Sequence, residues 1–145
     1  MATAGKSSFG TLLKLGDAAT SESFTTIAEV RDIKGPGLAL DPEEMTNHSS
    51  TEGWEESIGT ILKGGDVTFD VNWLPANTTQ SFTTSGLLKD MTARTLRNFQ
   101  LVVPAAATLT WTFAAIVTKF QPDLPVKGAQ RASVTLKLSG KPTLV

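Results

Sequence analysis

Hydrophobic residues in this chain recur at every second position in several separate runs, the pattern of β-strands with one face in a core and the other facing polar surroundings. The clearest run is GDVTFDVNWLP (residues 65–75): Val67, Phe69, Val71 and Trp73 share one face, and Thr68, Asp70 and Asn72 share the other. NFQLVV (98–103) alternates Phe99, Leu101 and Val103 and stops at Pro104, and TLTWTFAAIVTKF (108–120) aligns Leu109, Trp111, Phe113, Ala115 and Val117. ASVTLKL (132–138) turns Val134, Leu136 and Leu138 inward and Ser133, Thr135 and Lys137 outward. A further strand is predicted over TTIAEVRDIK (25–34), with Ile27, Val30 and Ile33 apolar, ended by Gly-Pro-Gly at 35–37.

One segment changes period. In NTTQSFTTSGLLKDMTAR (77–94), Thr84, Leu87, Leu88 and Met91 keep helical spacing, with hydroxyl residues upstream to serve as an N-cap. A short helix in a β-protein is expected to plug an open end or edge of the sheet. The elements together predict a mainly β fold, a two-sheet β-sandwich or partial barrel with one flanking α-helix and a long assembly loop, in a single domain over residues 1–145.

Two segments do not fit a self-contained core. Residues 41–65 (DPEEMTNHSSTEGWEESIGTILKGG) show little strand periodicity, and structureless connections beyond about 12–15 residues are uncommon and often functional. This stretch carries Met45, Trp54, Ile58, Ile61 and Leu62 among acidic residues, which points to a partner surface. The alternative is that the loop folds back and buries them in its own domain. Residues 1–20 combine a Gly- and Ser-rich arm with a short apolar piece that includes Leu12 and Leu13, and such arms are often unpinned until a neighbour orders them.

Composition narrows the function. Thirteen basic and fourteen acidic residues give a net charge of −1, with Lys and Arg scattered singly, so a phosphate-gripping nucleic-acid site is not expected. The absence of cysteine removes disulfides and thiol chemistry. No signal peptide or bilayer-spanning run is present, so the expectation is a soluble protein made in a cytoplasm. The single histidine, His48, lies in TNHSS without an orienting carboxylate and nucleophile; the pairs Glu43/Glu44 and Glu55/Glu56 read as solvated loop faces. No metal-ligand or phosphate-loop spacing occurs. No cofactor and no enzyme activity are expected. What remains is self-association.

The order of segments resembles the major tail tube protein of long, non-contractile-tailed, lambda-like bacteriophages. AEVRDIKGPGLALDPEE (28–44) is similar to the family's first core strand and turn. Trp54 followed by Gly64, Gly65 and Asp66 and then GDVTFDVNWLP matches a W…GD…F…WMP pattern. GLLKDMTARTLRNFQLVVP (86–104) resembles the family's helix, turn and strand, and SVTLKLSGKPTLV (133–145) its closing strand, with Gly140, Lys141, Pro142 and Thr143 in its G-[KR]-P-[ST] ending. The likeness covers residues 24–145. One departure is that the chain stops soon after GKPT, where the lambda subunit continues into an immunoglobulin-like domain, so no such domain is expected here.

The resemblance implies a virion protein, made in the host cytoplasm, that forms stacked hexameric rings around a tape measure protein. It also implies contacts with tail terminator and tail-tip or initiator proteins, and DNA passing through the lumen without specific binding. The long loop and N-terminal arm then carry assembly contacts, and Thr68, Asp70 and Asn72 are one candidate lumen-facing set. Two other readings are a β-sandwich binding or virion-decoration module, which predicts a stable monomer with Trp54 as a ligand platform, and a tube protein of the type VI secretion kind.

Overall fold

The computed structural model describes residues 2–83, 85–104 and 109–145. Among these lie β1 (Leu12–Gly16), β2 (Phe24–Thr26), β3 (Val30–Lys34), β4 (Ala39–Glu44), β5 (Ser57–Lys63), β6 (Asp66–Asn72), α1 (Leu87–Thr92), β7 (Arg97–Val103), β8 (Leu109–Asp123) and β9 (Arg131–Leu144). Seven strands form one sheet in the order β2-β1-β7-β8-β9-β6-β3, antiparallel throughout, while β4 and β5 form a separate two-stranded ribbon. The fold is thus the expected mainly β architecture with one short helix, in its partial-barrel form.

Period-two patterning decides which face of the sheet is dry. Val67, Phe69 and Val71 of β6, Val134, Leu136 and Leu138 of β9, Phe113, Ala115 and Val117 of β8 and Phe99 and Leu101 of β7 are all buried in one cluster. Phe99 and Phe113, directly opposed across β7 and β8, stack with ring centroids 5.9 Å apart. Trp111 and Trp73 are only half-buried; Trp73 meets Phe120 edge-on at 6.0 Å.

A single sheet with one apolar face buries that face by curling. Six inter-strand spacings of about 4.8 Å would set the edges of a flat seven-stranded sheet about 29 Å apart. Here the edge strands β2 and β3 are joined by residues 27–29 alone, which reach at most about 14 Å between Thr26 and Val30. The connection bonds to both sides: Ile27 N–H donates to the Leu13 carbonyl on β1 (2.9 Å), and Asn72 N–H of β6 donates to the Glu29 carbonyl (3.1 Å). This corrects the sequence expectation of one strand over 25–34. Glu29 takes a positive φ of 50°, Ile27 drops into the core, and the ladder from β3 to β6 is irregular between Val30 and Ile33, so the apolar spacing of three reflects a strand break.

The gap between the edges is filled by polar groups. Gln80, fully buried, donates from Nε2 to the Ala28 carbonyl (2.8 Å) and the Asn72 carbonyl (3.3 Å) and accepts from Leu74 N–H (2.9 Å). Thr79 Oγ1 accepts from Ala28 N–H at 3.0 Å. These bonds satisfy backbone groups that the unclosed ladder leaves over.

Helix α1 closes one end, with Leu87 in the core. Its N-cap is Gly86, not an upstream hydroxyl: Leu87 and Lys89 N–H donate to the Thr79 and Ser81 carbonyls, and a Cβ at Gly86 would strike the Ser81 backbone. Thr84 of the expected helical stripe and Thr108 at the start of the expected strand lie outside the described residues. Asp90 is buried and paired with Arg97 Nη2 at 3.0 Å, and Arg97 Nη1 donates to the Gly16 carbonyl at 2.9 Å, tying α1, β7 and β1 together.

The two irregular segments are more ordered than their sequences suggest. Residues 41–65, expected to be a structureless loop, fall largely within the β4–β5 hairpin; both of its faces meet solvent, so no alternation betrays the strands. Within the expected N-terminal arm, residues 2–10 are exposed, but β1 is an inner strand between β2 and β7 and Leu13 is wholly buried.

Burial raises the pKa of Asp90, and the Arg97 charge and hydrogen bond oppose that rise. A carboxyl whose pKa is raised by folding favours the native state most at low pH, and that contribution is lost as pH climbs through the raised value. Arg97→Leu leaves the Asp90 carboxylate buried and unpaired; the expected loss at neutral pH is about 3–5 kcal/mol. Denaturant titrations should show the deficit shrinking as pH is lowered and Asp90 takes a proton, and an equal deficit at pH 7 and pH 5 would contradict the role given to the pair. Phe69→Ala, at a fully enclosed site, is expected to cost about 3–5 kcal/mol in the same assay.

Candidate assembly interface

The β4–β5 hairpin stands apart from the seven-stranded sheet and is stabilised within itself. Leu40 faces Leu62, Glu43 faces Ile58, and the register shifts between Leu40 and Pro42. Lys63 Nζ and Asp41 Oδ2 form an ion pair at 2.8 Å, and Thr60 Oγ1 donates to the Asp41 carbonyl at 2.8 Å. The Leu40 side chain lies over Gly59, in the space a Cβ there would take.

At the tip, Met45 N–H donates to the Glu56 carbonyl (2.8 Å) and Glu56 N–H donates to Thr46 Oγ1 (3.0 Å). Asn47 N–H donates to Ser50 Oγ and Ser49 N–H to Asn47 Oδ1, while the Ser50 hydroxyl donates to Glu56 Oε2 at 2.7 Å. A short 3-10 turn (Thr51–Gly53) with positive φ at Glu52 and Gly53 then presents Trp54. Short polar side chains bonding to nearby backbone give the tip a defined shape without a core.

That order exposes apolar surface. Trp54 is 72% exposed and Leu62 80%, and Met45, Ile58 and Ile61 are each more than half exposed. Five of the seven residues expected from the sequence at an interface therefore lie on one projecting element, while Leu12 and Leu13 lie on β1. Leu38 and Leu40, just as open, belong with it; the pair of leucines two residues apart directly after the Gly-Pro-Gly breaker was the available signal. Leu12 is exposed, whereas Leu13 faces the subunit's own core against β7, where it pairs with Leu101.

Between the hairpin base and β9 runs an open groove of about 960 Å³. Leu38, Leu40 and Leu62 form one wall and Trp111, Leu138 and Pro142 the other, with Lys63, Lys137 and Lys141 on the rim. The groove exists because β6 pairs with β9 only as far as Lys137: Leu138 N–H still reaches the Gly65 carbonyl, and then the chain preceding β6 lifts away into the hairpin. Gly65 permits the turn, with a φ of 67° and the Gly37 carbonyl where a side chain would sit. Beyond Leu138, β9 keeps β8 on one side and, among the described residues, has no strand on the other. Strand β8 likewise runs past the end of β7 at Ala115.

Thr68, Asp70 and Asn72 lie on the outer, polar face of β6, with Thr68 exposed and the other two half-buried. The Ser133 hydroxyl donates to Asp70 Oδ1 at 2.8 Å, and Asn72 Nδ2 lies 3.4 Å from Glu29 Oε1. His48 sits exposed in the hairpin tip. Among the described residues no group of three or more His, Asp or Glu side chains is placed to hold a metal ion, and no helix is long and apolar enough to cross a membrane.

No curated protein matches the chain. Solved structures do: a chain from the virion of a native gene transfer agent particle superposes with a TM-score of 0.73 at 16% identity, covering 97% of this chain and 99% of that one. The sheath/tube terminator structure of an extracellular contractile injection system gives a TM-score of 0.71 at 12% identity, covering 100% and 99%. The SPP1 tail tube gives 0.68 at 13% identity, covering 92% and 75%. These likenesses show a shared fold. Residues 10–145 match the family described as lambda phage tail tube protein, a structural virion component and not an enzyme, and this chain belongs to that family.

Proposed function

We propose that this protein self-assembles into hexameric rings that stack as the phage tail tube, through which DNA is delivered into the host cell. The observation that carries the reading is the self-ordered β4–β5 hairpin, which holds six apolar side chains more than half exposed outside the core of a tail tube subunit. Exposed apolar groups framed by charge mark a surface awaiting a partner. Six-fold symmetry is named for the tail of an empty gene transfer agent particle, whose chain has this fold with a TM-score of 0.67 at 18% identity. A ring of identical subunits needs a heterologous contact that closes on itself, and the overhanging edges of β8 and β9 offer main-chain groups for it.

The partners follow from the tube. A terminator or cap would stop the growing end and an initiator or baseplate would start it; structures of a tube terminating cap and of a baseplate of the anti-feeding prophage contain chains of this fold. A tape measure protein would occupy the lumen before DNA does. With a net charge of −1, the subunit is suited to a bore through which DNA slides without being gripped. Thr68, Asp70 and Asn72 with Ser133 make a polar strip without a cation that is our candidate for part of that lining.

Replacing residues 41–62 by a short Gly-Ser linker should leave the seven-stranded sheet folded and abolish tubes in negative-stain electron microscopy of the concentrated protein; normal tubes would refute the role of the hairpin. Trp54→Ala, at an exposed site, should change the unfolding free energy of the monomer by less than about 0.5 kcal/mol while suppressing assembly, whereas a larger loss in denaturant titrations would mean that Trp54 belongs to its own subunit's core.

A further inference from the structure

The hairpin tip and the groove both expose apolar groups and are complementary in charge. The tip carries Glu43, Glu44, Glu52, Glu55 and Glu56 around Trp54, with no Lys or Arg between residues 43 and 56. The groove has apolar walls, no carboxylate in its lining and lysines on its rim. Two of those lysines are already engaged, Lys63 with Asp41 at 2.8 Å and Lys137 with Asp66 at 4.0 Å. Lys141 has no ion partner among the described residues and is exposed. An acidic, Trp-bearing tip and a Lys-rimmed apolar trough thus occur on the same chain, each unpartnered.

They cannot satisfy one another within a subunit. The groove lies at the base of the hairpin, beside Leu40 and Leu62, while Met45 and Trp54 lie beyond Glu44 and Ser57 at its far end. Four ladder positions from Leu40 to Glu44 carry the tip about 13 Å from the base. The ribbon is held by its ladder, the Lys63–Asp41 pair and the Thr60 bond, so it does not fold back on itself.

We infer that the Trp54 tip of one copy seats in the groove between the hairpin base and β9 of the next copy, with the tip carboxylates against Lys141. This rests on the self-assembly reading above and adds to it which surface receives the hairpin. The contact is heterologous, tip to groove, so every subunit donates once and receives once, and the contact generates a closed ring or a continuing stack rather than a two-fold dimer. Trp54 is its aromatic anchor, buried on docking, and the charge pairs set its orientation. The stranded apolar groups at both ends of the hairpin, Trp54 at the tip and Leu62 at the base, are covered by one repeated contact.

Two measurements on the full chain test this. In the first, the protein concentration needed for tube formation is followed by light scattering for the wild type, Trp54→Ala and Leu38→Glu/Lys141→Glu, with thermal unfolding confirming that each variant is folded. Both variants should raise that concentration at least about thirtyfold. In the second, the absence of cysteine from the sequence makes disulfide trapping specific. Assembled Glu55→Cys/Lys141→Cys, once oxidised, should run as a ladder of covalent multimers on a denaturing gel, and each single variant should not. A wild type that never assembles would overturn the self-assembly reading itself. A wild type that assembles, with both variants assembling at its concentration or with double-variant tubes giving no ladder, would overturn the tip-to-groove pairing alone.

Discussion

The architecture depends on the short crossing from β2 to β3. One seven-stranded sheet provides nearly all the buried apolar side chains among the described residues, and it has no second full sheet to pack against. Three residues between the edge strands hold those edges close, and the curl that results lets the sheet bury its own face. The hydrogen bonds of Ile27 and Glu29 to β1 and β6 fix this crossing, and Gln80 and Thr79 satisfy the backbone groups on either side of it. The Asp90–Arg97 pair does comparable work at the helix end, linking α1, β7 and β1 at a buried site where either charge alone would be costly.

Because the core is complete without β4 and β5, the hairpin is free to serve something else. It draws its order from its own ladder and from side-chain bonds at the tip rather than from burial. Leaving the sheet at Gly64 and Gly65, it also uncovers the far edge of β9 and opens the groove. The projecting hairpin and the groove therefore arise from the same departure of the chain.

Strands β6, β7, β8 and β9 were legible in the sequence because each has one dry face and one wet face, and alternation records that difference. Their apolar sets are the buried sets, apart from Val103, Leu109, Trp111 and Trp73 near strand ends, where the curl leaves the face partly open. Strands β4 and β5 were illegible for the opposite reason: with solvent on both sides, nothing forces alternation. Leu13 was read as part of an unpinned arm, because five residues of strand between polar stretches carry too little pattern to show that they are an inner strand. Met45, Trp54, Ile58, Ile61 and Leu62 stand out in the sequence because they lie among acidic residues in a stretch without strand alternation, and Leu38 and Leu40 are exposed at the base of the same hairpin.

The sequence by itself determined the β class, the lack of thiol chemistry, the near-neutral charge and the presence of apolar residues in a stretch without strand alternation, since composition and local periodicity carry that information. Tertiary structure alone decided that the sheet curls across a three-residue link, that residues 41–65 mostly form a hairpin, and that this hairpin opens a groove beside β9. Those features depend on which distant residues become neighbours, Leu13 with Leu101, Gln80 with Ala28, Leu62 with Pro142 across the groove, and no local pattern encodes such pairings.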